Sequence, residues 1–172
     1  MASIDLYFPK MIKFEGGYCD VPGDSGGPTK YGVTLSEWRS HGYDKDNDGD
    51  IDSIDVKNLS LEDAKMILKV SSWDLCSADN IKSQSVAEIM VDWTYNSGSW
   101  GIRIPQRILR LKEDGIVGIK TITAINTMDP QTLFTSIKQA RIKFYNDIVI
   151  NHPDQKKFLK GWMNRINSFV YS

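Results

Sequence analysis

Two carboxylates and a hydroxyl lie near the start of the chain, and a pair of carboxylates can supply the acid and base that hydrolysis of a glycosidic bond needs. Glu15, Asp24 and Thr29 are separated by eight and then four residues. Such hydrolysis needs a proton donor for the leaving oxygen, and a carboxylate or an oriented water on the other side of the reacting carbon. We therefore interpret Glu15 as the general acid, Asp24 as the group that positions water, and Thr29 as a second anchor for that water.

The segment around Glu15 predicts the wall of a cleft. An apolar helical pattern over residues 4–14 runs into Glu15 and then into Gly16–Gly17, and paired glycines end helices because they tolerate positive φ. The glycine-rich loop that follows contains Tyr18 and Tyr31, whose rings are candidates for contact with a sugar. The alternative is that Glu15 is only the last exposed residue of a helix.

A second polar pair lies on a predicted helix over residues 84–96. Asp92 and Asn96 are four residues apart, and this spacing places them on one face of a helix. The pair is either a polar contact at the helix end or part of a substrate site.

Six aspartates within twelve residues form a third candidate site. Gly49 at the sixth position and Ile51 at the eighth complete the pattern of a calcium loop. Carboxylates this close repel one another unless a hard cation neutralises them. The loop therefore predicts a structural Ca²⁺ site, with a solvated acidic loop as the alternative, and no cofactor is expected for catalysis. The expected metal ligands are Asp44, Asp46, Asp48, Asp50, Asp52 and Asp55.

Composition excludes several classes of protein. The 172 residues are 41% hydrophobic and carry a net charge of −1, so a core can form and no basic footprint for nucleic acid is visible. The sequence contains no run of 18 apolar residues, so no membrane-spanning helix is predicted. The first ten residues lack the pattern of a signal peptide, which predicts synthesis in the cytoplasm. Cys19 and Cys76 are expected to be two buried thiols.

Helical periodicity and helix caps dominate the remaining sequence. Thr34 and Ser60 each precede an acidic residue at the third helical position, which predicts capping boxes. Asp129 before a proline predicts the start of a long helix. Because proline suits the first turn of a helix, we expect the first helix to begin near Pro9. Thr121 is expected to cap a short helix after an Asp-Gly turn. Because alternating strand patterns are scarce, we expect a mainly α fold.

Several of these segments resemble one family. The stretch from Glu15 to Tyr18 and then from Asp24 to Thr34 resembles the muramidases of glycoside hydrolase family 108, and the Glu-Asp-Thr spacing is similar to that of phage-type lysozymes, with one residue fewer before Thr29. The segment Asp92–Gly98 is similar to a family segment near the cleft, and Gly161–Arg165 is similar to its G-W-x-N-R ending. Residues 102–125 resemble peptidoglycan-binding modules.

The resemblance implies a lysozyme-like helical fold with a glycine-rich active-site loop, and the aspartate pattern described above adds a calcium-loop insertion to it. It implies a catalytic region over residues 1–98, with residues 99–172 forming a helical, peptidoglycan-binding-like region packed on it as one structural unit. The implied activity is that of an N-acetylmuramidase cleaving peptidoglycan glycan strands. Tyr18, Tyr31, Asp92 and Asn96 are then expected to contact the substrate.

Two further interpretations remain open. The chain is alternatively a cell-wall-binding protein without catalysis, or an accessory of secretion or lysis, as some family members have been labelled secretion activators. Either way we expect a monomer that acts in the periplasm or outside the cell, after holin-type or other unconventional export. A phage endolysin is one such protein.

Overall fold

The structure is a computed structural model that describes residues 1–19 and 27–172. Asp24 therefore lies outside the described residues. Within them the chain forms nine α-helices and one two-stranded sheet. The prediction of a mainly helical fold is confirmed, and this architecture is consistent with a lysozyme-like fold.

The helices and strands fall into two groups along the chain. The first group is α1 (Ile4–Met11), β1 (Thr29–Lys30), β2 (Val33–Thr34), α2 (Leu35–His41), α3 (Ser53–Lys57) and α4 (Leu61–Leu68). A π-helical turn, Lys69–Trp73, and a 3₁₀ turn, Ala78–Asn80, follow. The second group is α5 (Gln84–Ser97), α6 (Trp100–Ile108), α7 (Ile119–Thr127), α8 (Pro130–Asn151), the 3₁₀ turn Pro153–Gln155 and α9 (Lys156–Ser168).

The chain divides into two compact units, which we call the N-terminal unit (Ile4–Ser71) and the C-terminal unit (Met1–Ser3 with Ser72–Ser172). The predicted division at residue 98 into a catalytic and a binding region stays a prediction.

Short helices build the N-terminal unit around a small core. Helix α2 contacts β2, α3 and α4, and β1 contacts α3. Capping boxes begin α2 at Thr34 and α4 at Ser60, as the sequence predicts. The side chains that form this core are Tyr7, Phe8, Met11, Val33, Trp38, Val56, Leu59, Ala64, Ile67 and Leu68.

Helix α5 is the centre of the C-terminal unit. Ten consecutive residues, Ser85–Thr94, are buried, so this part of the helix is enclosed on every side and has no solvent-exposed face. It contacts α6 and α8, and α8 in turn contacts α7 and α9. Asp129 caps α8 by accepting a hydrogen bond from the Thr132 N–H, as the sequence predicts, and His152 caps the other end of the helix.

Three local predictions are wrong. Helix α1 begins at Ile4 and keeps Pro9 inside it, because burial of Tyr7, Phe8 and Met11 outweighs the single helical hydrogen bond that a proline lacks. Gly118 and not Thr121 stands at the start of α7, and Thr121 is buried within that helix. Cys19 is an exposed free thiol, whereas Cys76 is buried as expected.

Candidate functional site

Glu15 lies just beyond the first helix. Two backbone hydrogen bonds continue the chain beyond the last turn of α1. The Phe14 N–H donates to the Met11 carbonyl (2.9 Å), and the Glu15 N–H donates to the Ile12 carbonyl (3.2 Å). Glu15 then sits in a bend, half-buried.

Gly16 and Gly17 follow Glu15 directly. Neither Gly16 nor Gly17 has a positive φ, so the predicted reason for this pair is wrong. A Cβ atom on either glycine meets no described heavy atom within 4 Å. Neither backbone strain nor packing against the described residues therefore requires glycine here.

A tight hairpin places Thr29 and Tyr31. The central residues of its turn, Tyr31 and Gly32, have φ values of 54° and 79°, which is the signature of a type I′ turn. Thr29 pairs with Thr34 across the hairpin and exchanges two backbone hydrogen bonds with Cys19 on its other side (2.8 and 2.9 Å).

One backbone contact joins this hairpin to the segment of Glu15. The Tyr31 N–H donates to the Gly16 carbonyl at 3.1 Å. Tyr18 is 38% exposed, and the Lys30 ammonium lies 5.2 Å from the centre of the Tyr31 ring. The structure thus brings Glu15, Tyr31 and Thr29 into one network of loop and hairpin, and it leaves aromatic surface exposed there.

Asp92 is fully buried in the C-terminal unit. Its carboxylate accepts hydrogen bonds from Nε and Nη2 of Arg165 (2.7–3.1 Å) and lies 2.7 Å from Nη2 of Arg141. With no exposed surface, Asp92 has no direct access to a glycan in this structure. Arg165 belongs to the G-W-x-N-R segment, but nothing in the sequence pattern identified Arg141 as a partner.

Asn96 is the exposed member of the predicted pair. Its Nδ2 donates to the Asp92 carbonyl at 2.7 Å and lies 3.4 Å from Oδ2 of the same residue. Asp92 therefore fixes the orientation of an amide that remains accessible to a ligand.

The six loop aspartates form two groups of three. Carboxylate oxygens of Asp44, Asp46 and Asp48 lie within 4.8 Å of one another, and so do those of Asp50, Asp52 and Asp55. Asp44 accepts hydrogen bonds from the backbone N–H groups of Asn47 and Gly49 (2.6 and 2.9 Å). Backbone groups thus shape the loop as the calcium-loop pattern predicts, with Gly49 at a φ of 104°.

Charge crowding and hydrogen bonding act in opposite directions within this loop. The neighbouring Asp48 carboxylate raises the pKa of Asp50, while partial desolvation and then nearby aspartates raise the pKa of Asp46. Burial by itself raises the pKa of Asp55, but backbone hydrogen bonds outweigh it and leave that pKa below its usual value.

The motif that resembles peptidoglycan-binding modules has a structural role. The buried amide of Gln106 donates to Asp114 Oδ1 (2.9 Å) and to the Ile116 carbonyl (3.0 Å), and it accepts from the Gly115 N–H (2.9 Å). Gln106 therefore fixes the Asp-Gly turn from within, and none of these hydrogen-bonding groups is a free ligand site.

The C-terminal unit also contains an aromatic groove that sequence spacing did not reveal. Its volume is about 510 Å³. It is lined by Asn96, Ser97, Trp100, Phe144, Tyr145, Ile148, His152, Gln155 and Trp162. These residues come from α5, α6, α8, α9 and the turn before α9, so no short motif contains them.

Other features limit the possible chemistry. Burial raises the pKa of the Cys76 thiol to about 12, which makes a catalytic thiolate at this position unfavourable. Among the described residues, none of the helices is both long and apolar enough to span a membrane.

Comparison with known proteins shows which family and which solved structure the chain resembles. The glycosyl hydrolase 108 family model matches residues 8–98, and a model described as a predicted peptidoglycan domain matches residues 100–167. The solved structure of Brucella abortus SagA is similar, with a TM-score of 0.77 and 25% identity over 95% of this chain and 89% of that one. Comparison with curated proteins gives no significant match. Because the first model covers more than half of the sequence, the chain belongs to the glycosyl hydrolase 108 family.

Proposed function

We propose that this protein is a lysozyme-type N-acetylmuramidase that cleaves peptidoglycan glycan strands with Glu15 as general acid. The observation that carries the proposal is the position of Glu15. It is half-buried in a bend, a Cβ on either of the two glycines after it meets no described heavy atom within 4 Å, and Gly16 is hydrogen-bonded to the hairpin that carries Thr29. The family match to glycosyl hydrolases and the peptidoglycan domain match support the substrate.

The proposed reaction is a single displacement. Glu15 gives its proton to the glycosidic oxygen as the bond to the anomeric carbon breaks. A water held by Asp24 and the Thr29 hydroxyl attacks that carbon from the opposite face, and Asp24 takes the water proton. The product anomer is then inverted, which requires carboxyl groups about 6.5–9.5 Å apart with room for water between them.

Substitution of the general acid tests this function. Glu15→Gln keeps the size of the side chain but cannot donate the proton, so turnover should fall by roughly 10²–10⁴. The measurement is clearing of purified peptidoglycan in a zymogram together with release of reducing ends. Glu62→Gln, an exposed glutamate at the start of α4, is the matched control and should clear like wild type. Full clearing by a folded Glu15→Gln protein would remove Glu15 from catalysis.

A wall-binding accessory without catalysis is the second candidate function. The peptidoglycan domain match over residues 100–167 and the aromatic groove favour it. Wild-type protein that sediments with peptidoglycan but releases no reducing ends would select this function. Both candidates place the protein at the cell wall, after export.

We also propose that the loop from Asp44 to Asp55 binds one structural Ca²⁺. Two groups of carboxylates on a backbone shaped by Asx-type hydrogen bonds offer the hard oxygen ligands that Ca²⁺ prefers. Asp55 replaces the bidentate glutamate of most EF-hands, and both of its oxygens accept backbone N–H groups at 2.6–2.7 Å. The expected ion supports the fold of the N-terminal unit and takes no part in the chemistry.

A further inference from the structure

The aromatic groove of the C-terminal unit has the composition of a site for a neutral ligand. Its described lining contains no Asp, Glu, Lys or Arg side chain: apart from His152, it combines aromatic rings and one isoleucine with amide and hydroxyl groups. A free peptide stem of peptidoglycan carries carboxylates, which such a lining leaves without a charged partner. The N-acetylated glycan is neutral and offers apolar ring faces together with hydroxyl and amide groups.

The aromatic walls of the groove are built in advance. Tyr145 and Trp162 stack with ring centres 4.7 Å apart and planes at 24°. Phe144 packs edge-on against Trp93 (5.6 Å) and Tyr145 (5.4 Å), and Trp93 is fully buried. Rings held on several sides lose little conformational entropy when a ligand binds, so the groove is preorganised.

Trp100 is the accessible ring at this groove. Its centre lies 6.1 Å from that of Phe144, and 47% of the residue is exposed. It stands in the first turn of α6, close to Gly101, where a Cβ atom would lie 2.3 Å from the Thr94 nitrogen. That close approach of the two backbones fixes the base of the Trp100 side chain while leaving its ring at the surface.

Polar groups at the groove are also held in place. Asn96 is fixed by the Asp92 carbonyl, and the Ser97 hydroxyl lies 3.0 Å from the Tyr145 hydroxyl. Both groups retain further hydrogen-bonding capacity. An aromatic surface with oriented amide and hydroxyl groups beside it matches a sugar ring, which is apolar on its faces and polar around its edge.

We propose that this groove is a saccharide-binding site that holds a neutral N-acetylated glycan by stacking on Trp100. The identity of the glycan as peptidoglycan rests on the proposed function. Binding itself does not, because every residue of the groove belongs to the C-terminal unit and none takes part in the proposed chemistry of Glu15.

Tryptophan fluorescence tests the site directly. Trp38, Trp73 and Trp93 are fully buried, so a change on adding ligand should come mainly from Trp100 and Trp162. The probe is the fully N-acetylated form of chitohexaose, which is neutral. Cellohexaose is the comparison sugar without acetamido groups. Both are titrated into Glu15→Gln protein to prevent cleavage. Chitohexaose should alter the emission and cellohexaose should bind more weakly.

Variants connect that binding to the groove. Trp100→Ala should weaken chitohexaose binding and co-sedimentation with peptidoglycan by about tenfold or more, as truncation of an aromatic anchor does. Because this variant lacks the main fluorescent reporter, its chitohexaose binding is measured by calorimetric titration. Trp100→Phe should lose less, because a smaller ring remains. Ile150→Ala, at a 73% exposed position of α8 outside the groove, is the control and should bind normally.

The outcomes separate this site from the enzymatic proposal. Loss of binding in folded Trp100→Ala supports the groove even if wild-type protein cleaves nothing. Unchanged binding in Trp100→Ala, or competition by a free stem tripeptide that matches competition by chitohexaose, would overturn the proposal while leaving the role of Glu15 intact.

Discussion

Asp63 in the N-terminal unit and Asp92 in the C-terminal unit are buried carboxylates whose main partners lie at different distances along the chain. In the N-terminal unit Asp63 accepts from the backbone and hydroxyl of Ser60, three residues before it, and Asp55 accepts from the Asp52 N–H. In the C-terminal unit Asp92 reaches Arg165, which lies 73 residues further along the chain. Asp63 also pairs with Lys45, 18 residues before it, at 2.6 Å. The N-terminal carboxylates therefore combine local caps with one ion pair of intermediate range, whereas Asp92 depends on arginines of distant helices.

Removing the buried anion should have the largest effect. Asp92→Ala leaves Arg141 and Arg165 without their shared carboxylate, and Nε and Nη1 of Arg141 already have no hydrogen-bond partner among the described residues. Loss of one member of a buried ion pair costs roughly 3–5 kcal/mol. Urea unfolding should show this loss in the free energy of unfolding.

The control for that variant is an exposed pair of the same type. Lys143 and Asp147 lie 2.6 Å apart on the surface of α8. Asp147→Ala should therefore cost no more than about 0.5 kcal/mol. Equal losses for the two variants would mean that burial does not distinguish these pairs.

Calcium should produce the next largest change, and in the N-terminal unit. A ligand that binds only the folded state at 100 times its dissociation constant stabilises it by about 2.7 kcal/mol. Chelation should lower the melting temperature, and Asp44→Ala combined with Asp48→Ala should abolish the difference. Asp154→Ala, an exposed acid in the C-terminal unit, should leave the calcium response intact. Calorimetric titration without heat, together with an unchanged melting temperature, would exclude the site.

Acid should weaken the N-terminal unit through Asp63. Partial burial by itself raises the pKa of this carboxyl, but hydrogen bonds from Lys45 and Ser60 outweigh it and hold the pKa below the usual value near 3.9. A depressed folded-state pKa contributes stability above the unfolded pKa, and that stability is lost as pH falls through the folded pKa. The free energy of unfolding, measured in urea, should therefore fall as the pH is lowered from 5 to 2.5.

Asp63→Asn is the variant that isolates this contribution. The amide oxygen still accepts the Ser60 bonds, but it has no charge to lose. The variant should show a flatter pH dependence than wild type over the same range. A pH profile identical to that of wild type would assign the acid response to other carboxylates.

The contrast between local and distant partners also explains what the sequence could predict. Caps at Thr34, Ser60 and Asp129 depend on neighbours three residues away, and all three are confirmed. Threonine is a common helix-capping residue, but the Thr121 hydroxyl is buried within α7, 3.5 Å from Nε2 of Gln106. Tertiary packing therefore overrides the local preference for capping. Pro9 is retained within α1 for a similar reason.

The candidate sites divide in the same way. The loop of Glu15 and the hairpin of Thr29 are close in sequence, so residue types and spacing were sufficient to propose them. The aromatic groove draws Asn96, Trp100, Phe144 and Trp162 from four helices. A tryptophan on a helix is commonly part of the core, and only the packing of those helices distinguishes the exposed Trp100 from the buried Trp93.

Gly16→Ala should give the smallest effect on stability, and Gly101→Ala supplies the contrast between the units. At Gly101 an added methyl group would lie 2.3 Å from the backbone nitrogen of Thr94, so α5 and α6 must separate, and overpacking of this kind costs roughly 1–3 kcal/mol. At Gly16 the same methyl group meets no described atom within 4 Å, and Gly16→Ala should change stability by less than about 0.5 kcal/mol.

If a glycan lies against this backbone beside Glu15, the methyl group will obstruct it. Gly16→Ala should then unfold like wild type yet release reducing ends more slowly. Wild-type turnover in Gly16→Ala would show that the space beside Glu15 is not where the glycan binds.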